Sequence, residues 1–311
     1  MSGNARGGGT GGGGTAGAGG GTAGAGGGTA GAGATGAARW TGTTPPLSPA
    51  FPDAVPIAGA TAADGTRLAA WTLGRGAGRP LLLVPGQAVD HRSWRLAAPV
   101  LGEGRPLVLV DHRGTGASDP SATGIFSTRD LAADLVRVLD AAGLDRVDLL
   151  GHSMGGRVAQ WFAIDHPSRL ERLVLAATNS GDRHTTTRDP EAGAALRSGE
   201  IARIRPFFFG DDVPVDVARS LLVVTTDARS RQAHYLASRR HDALAELGRI
   251  GAPTLVLHGS TDRLTPPDSA RLMVHAIPRA RLAILRGAAH GVVLDGGLGA
   301  SLAARFLSRP A

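Results

Sequence analysis

The chain has 311 residues, 42% of them hydrophobic and 19% charged, enough for one large core, and a single main domain is the simplest expectation. The formal net charge of +7 raises nucleic acid as a partner, but every basic residue is Arg and the arginines are interleaved with acids (Arg129 with Asp130, Asp145 with Arg146, Asp165 with Arg169), so a solvated surface is expected and no nucleic acid. Cysteine is absent, which excludes a disulfide scaffold, a thiolate metal site and a cysteine nucleophile, and no run approaches the roughly 20 apolar residues of a membrane span.

The heptad Gly-Gly-Gly-Thr-Ala-Gly-Ala recurs from Gly12 to Ala32, and a Pro-containing stretch follows to about Pro52. Side chains this small cannot offset the entropy of ordering the backbone, so residues 1–52 are expected to be a disordered tail and linker. The beginning also lacks the basic-then-leucine-rich order of a secretory signal, which makes the cytoplasm the default location.

From residue 53 short apolar runs alternate with helical patterns, the signature of an α/β fold with a mostly parallel sheet covered by helices. Thr66 to Leu73, Pro80 to Val84, Pro106 to Val110, Val147 to Leu150 and Leu170 to Ala176 read as strands. Ser127 to Ala142 reads as an amphipathic helix, with Ser as N-cap, Asp130 three residues on, and Leu131, Leu135, Val138 and Leu139 on one face. The rhythm breaks over residues 178–247, a polar, Arg-rich and weakly helical stretch with an apolar knot at Phe207, Phe208 and Phe209. It resumes with strands Thr254 to His258 and Arg281 to Leu285. Strands of one sheet flank the break, so 178–247 is expected to be an inserted lid between two parts of one core, 53–177 and 248–311.

The strongest local signal is Leu149-Leu150-Gly151-His152-Ser153-Met154-Gly155-Gly156, a Gly-x-Ser-x-Gly between an apolar strand and the helix through Val158, Ala159 and Phe162. The bland alternative is a Gly-rich turn that happens to contain Ser. In this setting Ser153 has to sit on a sharp, strained turn, with glycines leaving room for strand and helix to approach. The helix then aims its N-terminal amides where negative charge would develop, and Met154 would supply one of them through its backbone N–H. Two further motifs keep their order. Val110-Asp111-His112-Arg113-Gly114-Thr115-Gly116-Ala117-Ser118 follows a central strand, and Asp165-His166-Pro167 closes the helix after Ser153.

With these motifs the chain from about Val55 onward resembles the α/β-hydrolase superfamily in its serine-nucleophile branch, most of all bacterial enol-lactone hydrolases and polyketide-type methyl esterases. The resemblance implies a parallel sheet with an inserted helical lid and the chain order serine, acid, histidine. A serine hydroxyl needs a base, and the base needs a partner that fixes its tautomer. Thr254 to Asp262 runs off a strand end, and the resemblance, with Pro266 soon after, makes Asp262 the acid. Asp268 is the alternative, although it stands where the next helix would begin. The last strand leads to Gly287-Ala288-Ala289-His290-Gly291, so His290 is the expected base; Ala289 stands where the family usually has Gly. His275 falls in a helix and His258 in a strand. A second oxyanion donor is implied after Val84. Pro85 replaces the family's usual His there and has no N–H, so the amide of Gln87 takes that role, unless its side chain meets the substrate instead. Trp94 and Trp161 read as packing residues, and Asp111, His112 and Arg113 as holding a loop near the pocket mouth.

Serine rather than aspartate at the elbow disfavours epoxide and carbon–halogen cleavage. Acyl chemistry remains, and the expected activity is hydrolysis of a small-molecule carboxylic ester or lactone. Acyl transfer, lyase or cofactor-free perhydrolase chemistry, and a non-catalytic ligand receptor, stay as alternatives. No cofactor or metal is implied, and the histidines show no His-Glu-x-x-His spacing. Phe207, Phe208 and Phe209 would either line an apolar acyl pocket or anchor the lid to the core. Nothing in the sequence specifies an oligomer.

Overall fold

The apolar runs pair into one sheet. In the computed structural model, which describes residue 46 and residues 48–210, 213–224 and 226–308, its strands are β1 (Val55–Pro56), β2 (Ala70–Leu73), β3 (Leu81–Val84), β4 (Leu107–Val110), β5 (Val147–His152), β6 (Leu170–Ala176), β7 (Thr254–Gly259) and β8 (Ala280–Leu285). Their order is β1-β2-β4-β3-β5-β6-β7-β8; β1 and β2 pair antiparallel at one edge, and β3 to β8 run parallel. Successive side chains of a strand point to opposite faces, and the two cores follow from that. Leu82, Val84 and Leu149 face helices α2 (Thr128–Ala141), α3 (Met154–Asp165) and α8 (Asp268–Ala276), whereas Leu81, Leu83 and Leu150 face α1 (Ala98–Leu101) and α9 (Leu298–Leu307).

Helix α2 starts as its sequence demands. Ser127 Oγ accepts from Asp130 N at 3.1 Å while Asp130 Oδ2 accepts from Ser127 N at 2.7 Å, a reciprocal cap of the kind worth about 1 kcal/mol. Its buried stripe of Leu131, Leu135, Val138 and Leu139 is the one its periodicity predicted. The expected strand over Thr66 to Leu73 is shorter at its start, because Arg67 and Leu68 bond back to Thr61 and Ala60 before Ala70 joins the sheet.

The Gly-rich repeats lie outside the described residues. Residues 46 and 48–52, expected to belong to the linker, are already packed: Ser48 and Phe51 are buried, Trp71 Nε1 donates to Pro46 O at 2.8 Å, and Ser48 Oγ lies 2.7 Å from His91 Nε2. An aromatic ring at Phe51 is what lets this stretch offset its ordering entropy where glycine and threonine cannot.

Between β6 and β7 the described residues hold four α-helices, α4 (Pro190–Ser198), α5 (Ile201–Phe209), α6 (Val215–Leu221) and α7 (Ala228–Arg239). They carry a small core of their own around Ala192, Ala195, Ile204, Phe207 and Leu222, closed by Leu264 from the loop after β7. Among the described residues no helix is long and apolar enough to cross a membrane.

Candidate active site

The parallel strands deliver their following loops to one edge of the sheet, where α/β folds place their ligands. Ser153 follows β5 with φ 54° and ψ −120°, a left-handed conformation that costs a non-glycine residue on the order of 1–3 kcal/mol. The surroundings hold it there: Ser153 N donates to Ala176 O at 2.9 Å, and Thr178 Oγ1 donates to Ser153 O at 2.7 Å. Glycine is required on both sides, since a Cβ at Gly151 would strike Gly155 and one at Gly155 would strike the Val84 and Pro85 carbonyls. Among the described residues the other non-glycine positive-φ positions are Ala88 and Ala177, one next to Gln87 and one directly after β6.

Ser153 Oγ lies 2.9 Å from His290 Nε2, and His290 Nδ1 lies 2.8 Å from Asp262 Oδ2. Asp262 Oδ1 accepts from the backbone of Leu264 at 2.9 Å and Thr265 at 2.8 Å, which fixes the carboxylate in the turn after β7. Burial opposes ionisation of Asp262, but the charge of His290 and hydrogen bonds from His258 and His290 outweigh it and hold the carboxyl well below the usual range. An ionised Asp262 makes Nδ1 of His290 the protonated nitrogen. Nε2 is then the acceptor that faces the serine hydroxyl. Asp268, the alternative acid, begins α8 and accepts from Thr186 N and Oγ1 instead.

Two histidines that sequence reasoning passed over complete the site. His152 Nε2 donates to His290 O at 2.9 Å, and burial, with the nearby His290 charge, pushes it down to about 3, so it is neutral. His258 Nε2 donates to Thr265 O at 2.7 Å and lies 3.4 Å from Asp262 Oδ2, gripping the acid's turn from the strand. The spacing of His258 and Asp262, four residues apart across a strand end, was the available signal for the second.

Ser153 and His290 open on a cavity of about 510 Å³ that Gln87, Met154 and Phe208 also line. Among the described residues neither the Gln87 nor the Met154 backbone N–H has a protein acceptor, so both remain available to an incoming oxyanion. Of the three phenylalanines only Phe208 lines this cavity, its ring standing edge-on to His290 with centroids 4.9 Å apart. Phe207 is buried in the small core of the insertion with Arg263 over its ring at 5.0 Å, and Phe209 packs against Gly291. Consecutive residues of a helix project about 100° apart, which forbids all three from facing one pocket. The end of α5 is also fastened to the histidine loop, His290 N donating to Phe207 O at 3.1 Å and Gly291 N to Phe208 O at 2.7 Å.

Asp111, His112 and Arg113 stay outside the cavity lining and build its frame. Asp111 accepts from His91 and from Ala117 N, His112 Nε2 donates to Pro85 O at 3.3 Å, and Arg113 pairs with Asp134 and Asp64. Asp90, His91 and Asp111 are grouped closely enough to hold a metal ion, but Arg92, Ser48 and Ala117 already occupy their ligand atoms. Trp94 is fully buried, and Trp161 packs on the core beneath Arg129.

The family model of the alpha/beta hydrolase fold matches residues 79–221, the stretch that contains Ser153. A protein of Azorhizobium caulinodans assigned as the carbamate hydrolase RutD is 30% identical over 230 residues, covering 69% of this chain and 85% of that protein. Part of the polyketide synthase ThaQ of Burkholderia thailandensis is 33% identical over 238 residues; this is 71% of the present chain and spans 11% of the synthase. The esterase EaEST of Exiguobacterium antarcticum has a similar structure, with a TM-score of 0.71 and 25% identity over 86% of this chain and 100% of that one. The parallel sheet, the strained serine after β5 and these relatives agree, and the chain belongs to the α/β-hydrolase family.

Proposed function

We propose that the chain is a serine hydrolase that cleaves a small-molecule carboxylic ester or lactone in the cytoplasm through an acyl-enzyme on Ser153. The observation that carries this reading is the unbroken hydrogen-bonded line from Asp262 through His290 to Ser153 Oγ, ending in a cavity with two amides that have no acceptor among the described residues. In this reading Ser153 Oγ attacks the carbonyl carbon as His290 Nε2 takes its proton. The Gln87 and Met154 N–H groups receive the developing oxyanion, and His290 returns the proton to the departing alkoxide. Water then attacks the acyl carbon by the same route, and Ser153 leaves with the proton. Asp262 stabilises the transient imidazolium. Helices α4–α7 act as the lid over this cavity, with Phe208 the lid residue that meets the substrate.

The likeness to EaEST supports an ester substrate, and the likeness to RutD supports hydrolysis over acyl transfer. The decisive test is hydrolysis of short-chain 4-nitrophenyl esters and lactones by wild type and Ser153→Ala, with circular dichroism to show that the variant is folded. Loss of activity in a folded variant is expected. Equal activity would remove Ser153 from the chemistry, and products formed with added alcohols, thiols or peroxide in place of water would redirect the reading to transfer or perhydrolysis.

A further inference from the structure

Two cavities share a wall beside Ser153. The first, the cavity of about 510 Å³, is apolar along Ile201, Ile204, Phe208 and Leu222. The second, of about 710 Å³, is rich in hydrogen-bonding groups at Asn179, Thr185, Thr186, Thr187 and Gln232. Gln87, Arg188, Leu196, Arg197 and Leu264 line both, so a molecule held by Ser153 has a polar neighbour compartment within reach.

Charge is distributed unevenly over these walls. The catalytic cavity is lined by Arg157, Arg188, Arg197 and Arg231 and by no Asp or Glu. Arg157 is compensated, since its guanidinium donates to Asp182 at 2.5 Å and to Ser238. The two carboxylates of the polar compartment are also in use: Asp182 takes Arg157 and Arg239, and Asp189 takes Arg263 at 2.9 Å and caps α4. Among the described residues Arg188 gives only its Nε, to Leu264 O at 3.1 Å, and Arg197 has no hydrogen-bond or ion-pair partner. These two side chains meet. A Cβ on Gly193 would lie 3.3 Å from Arg197 Nη1 and 3.7 Å from Arg188 Cδ, so the guanidinium of Arg197 and the stem of Arg188 lie over the same glycine. Two guanidinium groups held this near each other, with no counter-charge bonded to them among the described residues, repel. They match the planar oxygens of a carboxylate or phosphate, each of which can accept several charge-assisted hydrogen bonds.

We propose that Arg188 and Arg197 form an oxyanion-binding site at the junction of the two cavities, and that the substrate is bipartite, with an apolar part beside Ser153 and a carboxylate- or phosphate-bearing polar part in the neighbouring compartment. This rests on the serine-hydrolase reading and adds the class of substrate. Because both arginines are exposed, the interaction is open to screening and its salt dependence is part of the signature.

The test compares matched esters at equal acyl length. Butanoyl esters of 4-hydroxybenzoate and 4-hydroxybenzamide place or remove a carboxylate on the alcohol side, the butanoyl ester of 4-hydroxyphenyl phosphate offers phosphate, and 4-nitrophenyl glutarate against its neutral amide places the charge on the acyl side. At least one charged ester is expected to exceed its neutral partner about tenfold in kcat/KM at low salt. That ratio is expected to fall toward one in 0.5 M salt, an ionic strength at which the Debye length is about 4 Å, and in the Arg188→Gln/Arg197→Gln double variant, while Arg188→Lys/Arg197→Lys keeps part of it. Ratios near one in wild type, or a ratio that neither salt nor the double substitution changes, overturn the proposal while leaving the hydrolase reading intact, provided Ser153 is labelled by a fluorophosphonate. If Ser153 is not labelled and no ester is cleaved, the hydrolase reading has failed. Calorimetry with glutarate then decides the site alone: binding lost in the glutamine variant sustains it, and no binding to wild type, or equal binding to both, removes it.

Discussion

His152 Nε2 donates to the carbonyl oxygen of His290 at 2.9 Å, and the two rings meet edge to face with centroids 5.0 Å apart. The residue before the serine thereby fixes the backbone of the residue that faces the serine hydroxyl. Displacing a reacting group by about 1 Å can cost about 100-fold, so His152→Leu is expected to lower kcat about 10- to 100-fold with a smaller change in KM. His152→Gln, which keeps a donor at similar reach, is expected to recover most of the loss. Steady-state kinetics on one ester check this, and equal kcat in the leucine variant and wild type would remove His152 from a positioning role.

The acid assignment predicts a sharp contrast. Asp262→Asn would present an amide to His290 Nδ1, invert the ring's tautomer and lower kcat by roughly 10⁴-fold. Asp268→Asn, whose carboxylate bonds to Thr186, is expected to stay within a factor of about three of wild type, since its partner lies outside the Ser153 line. Comparable losses from both substitutions would contradict the assignment.

Phe208 and Phe209 should separate in their effects. Phe208→Ala opens the cavity wall and removes the ring beside His290, so acyl-chain preference should move toward bulkier esters and kcat should fall. Phe209→Ala leaves a hole against Gly291 and is expected to cost about 2–4 kcal/mol of stability with little change in preference. Substrate profiling and urea unfolding of the pair distinguish these outcomes; identical profiles for Phe208→Ala and wild type would place the substrate elsewhere.

Three buried histidines should lower stability on acidification, against the opposing pull of Asp134, which burial pushes up to about 6. Burial pushes His112 down to about 3 and His234 down to about 4, as it does His152. The unfolded chain binds protons at these residues near pH 6.5, so between pH 6.5 and about 4 it holds more protons there than the folded chain does, and the stability they contribute declines as pH falls. Each of these histidines is expected to withdraw about 1–3 kcal/mol across that window. Among the described residues His234 Nδ1 has no hydrogen-bond partner, and His234→Gln should keep the bond to Arg113 O while flattening the decline. Thermal midpoints at pH 7, 6, 5 and 4.5 measure it, and parallel slopes for variant and wild type would refute it.

The parts of the site that were legible in the sequence are those written in local spacing. Glycines at 151 and 155 imply the elbow because only there do strand, turn and helix crowd one another. His290 follows because it alone stands in the loop after the last strand. The reciprocal cap of α2 is equally local. What the sequence left open depends on contacts between distant elements. The grip of His152 on His290 spans 138 positions, and the bond between Thr178 Oγ1 and the Ser153 carbonyl joins two neighbouring strand ends. The phenylalanine run is spread around the helix: Phe208 lines the cavity, Phe207 lies in the small helical core and Phe209 packs against Gly291. Strand β1, two residues long, is too short to carry a periodic signal of its own.

The most direct test of the account is fluorophosphonate labelling of wild type and His290→Ala, followed by mass spectrometry of the modified peptide. Modification of Ser153 in wild type that disappears in the folded His290→Ala protein is the predicted result. A well-folded wild type that takes no label, or one labelled equally without His290, would contradict the proposed activation of Ser153.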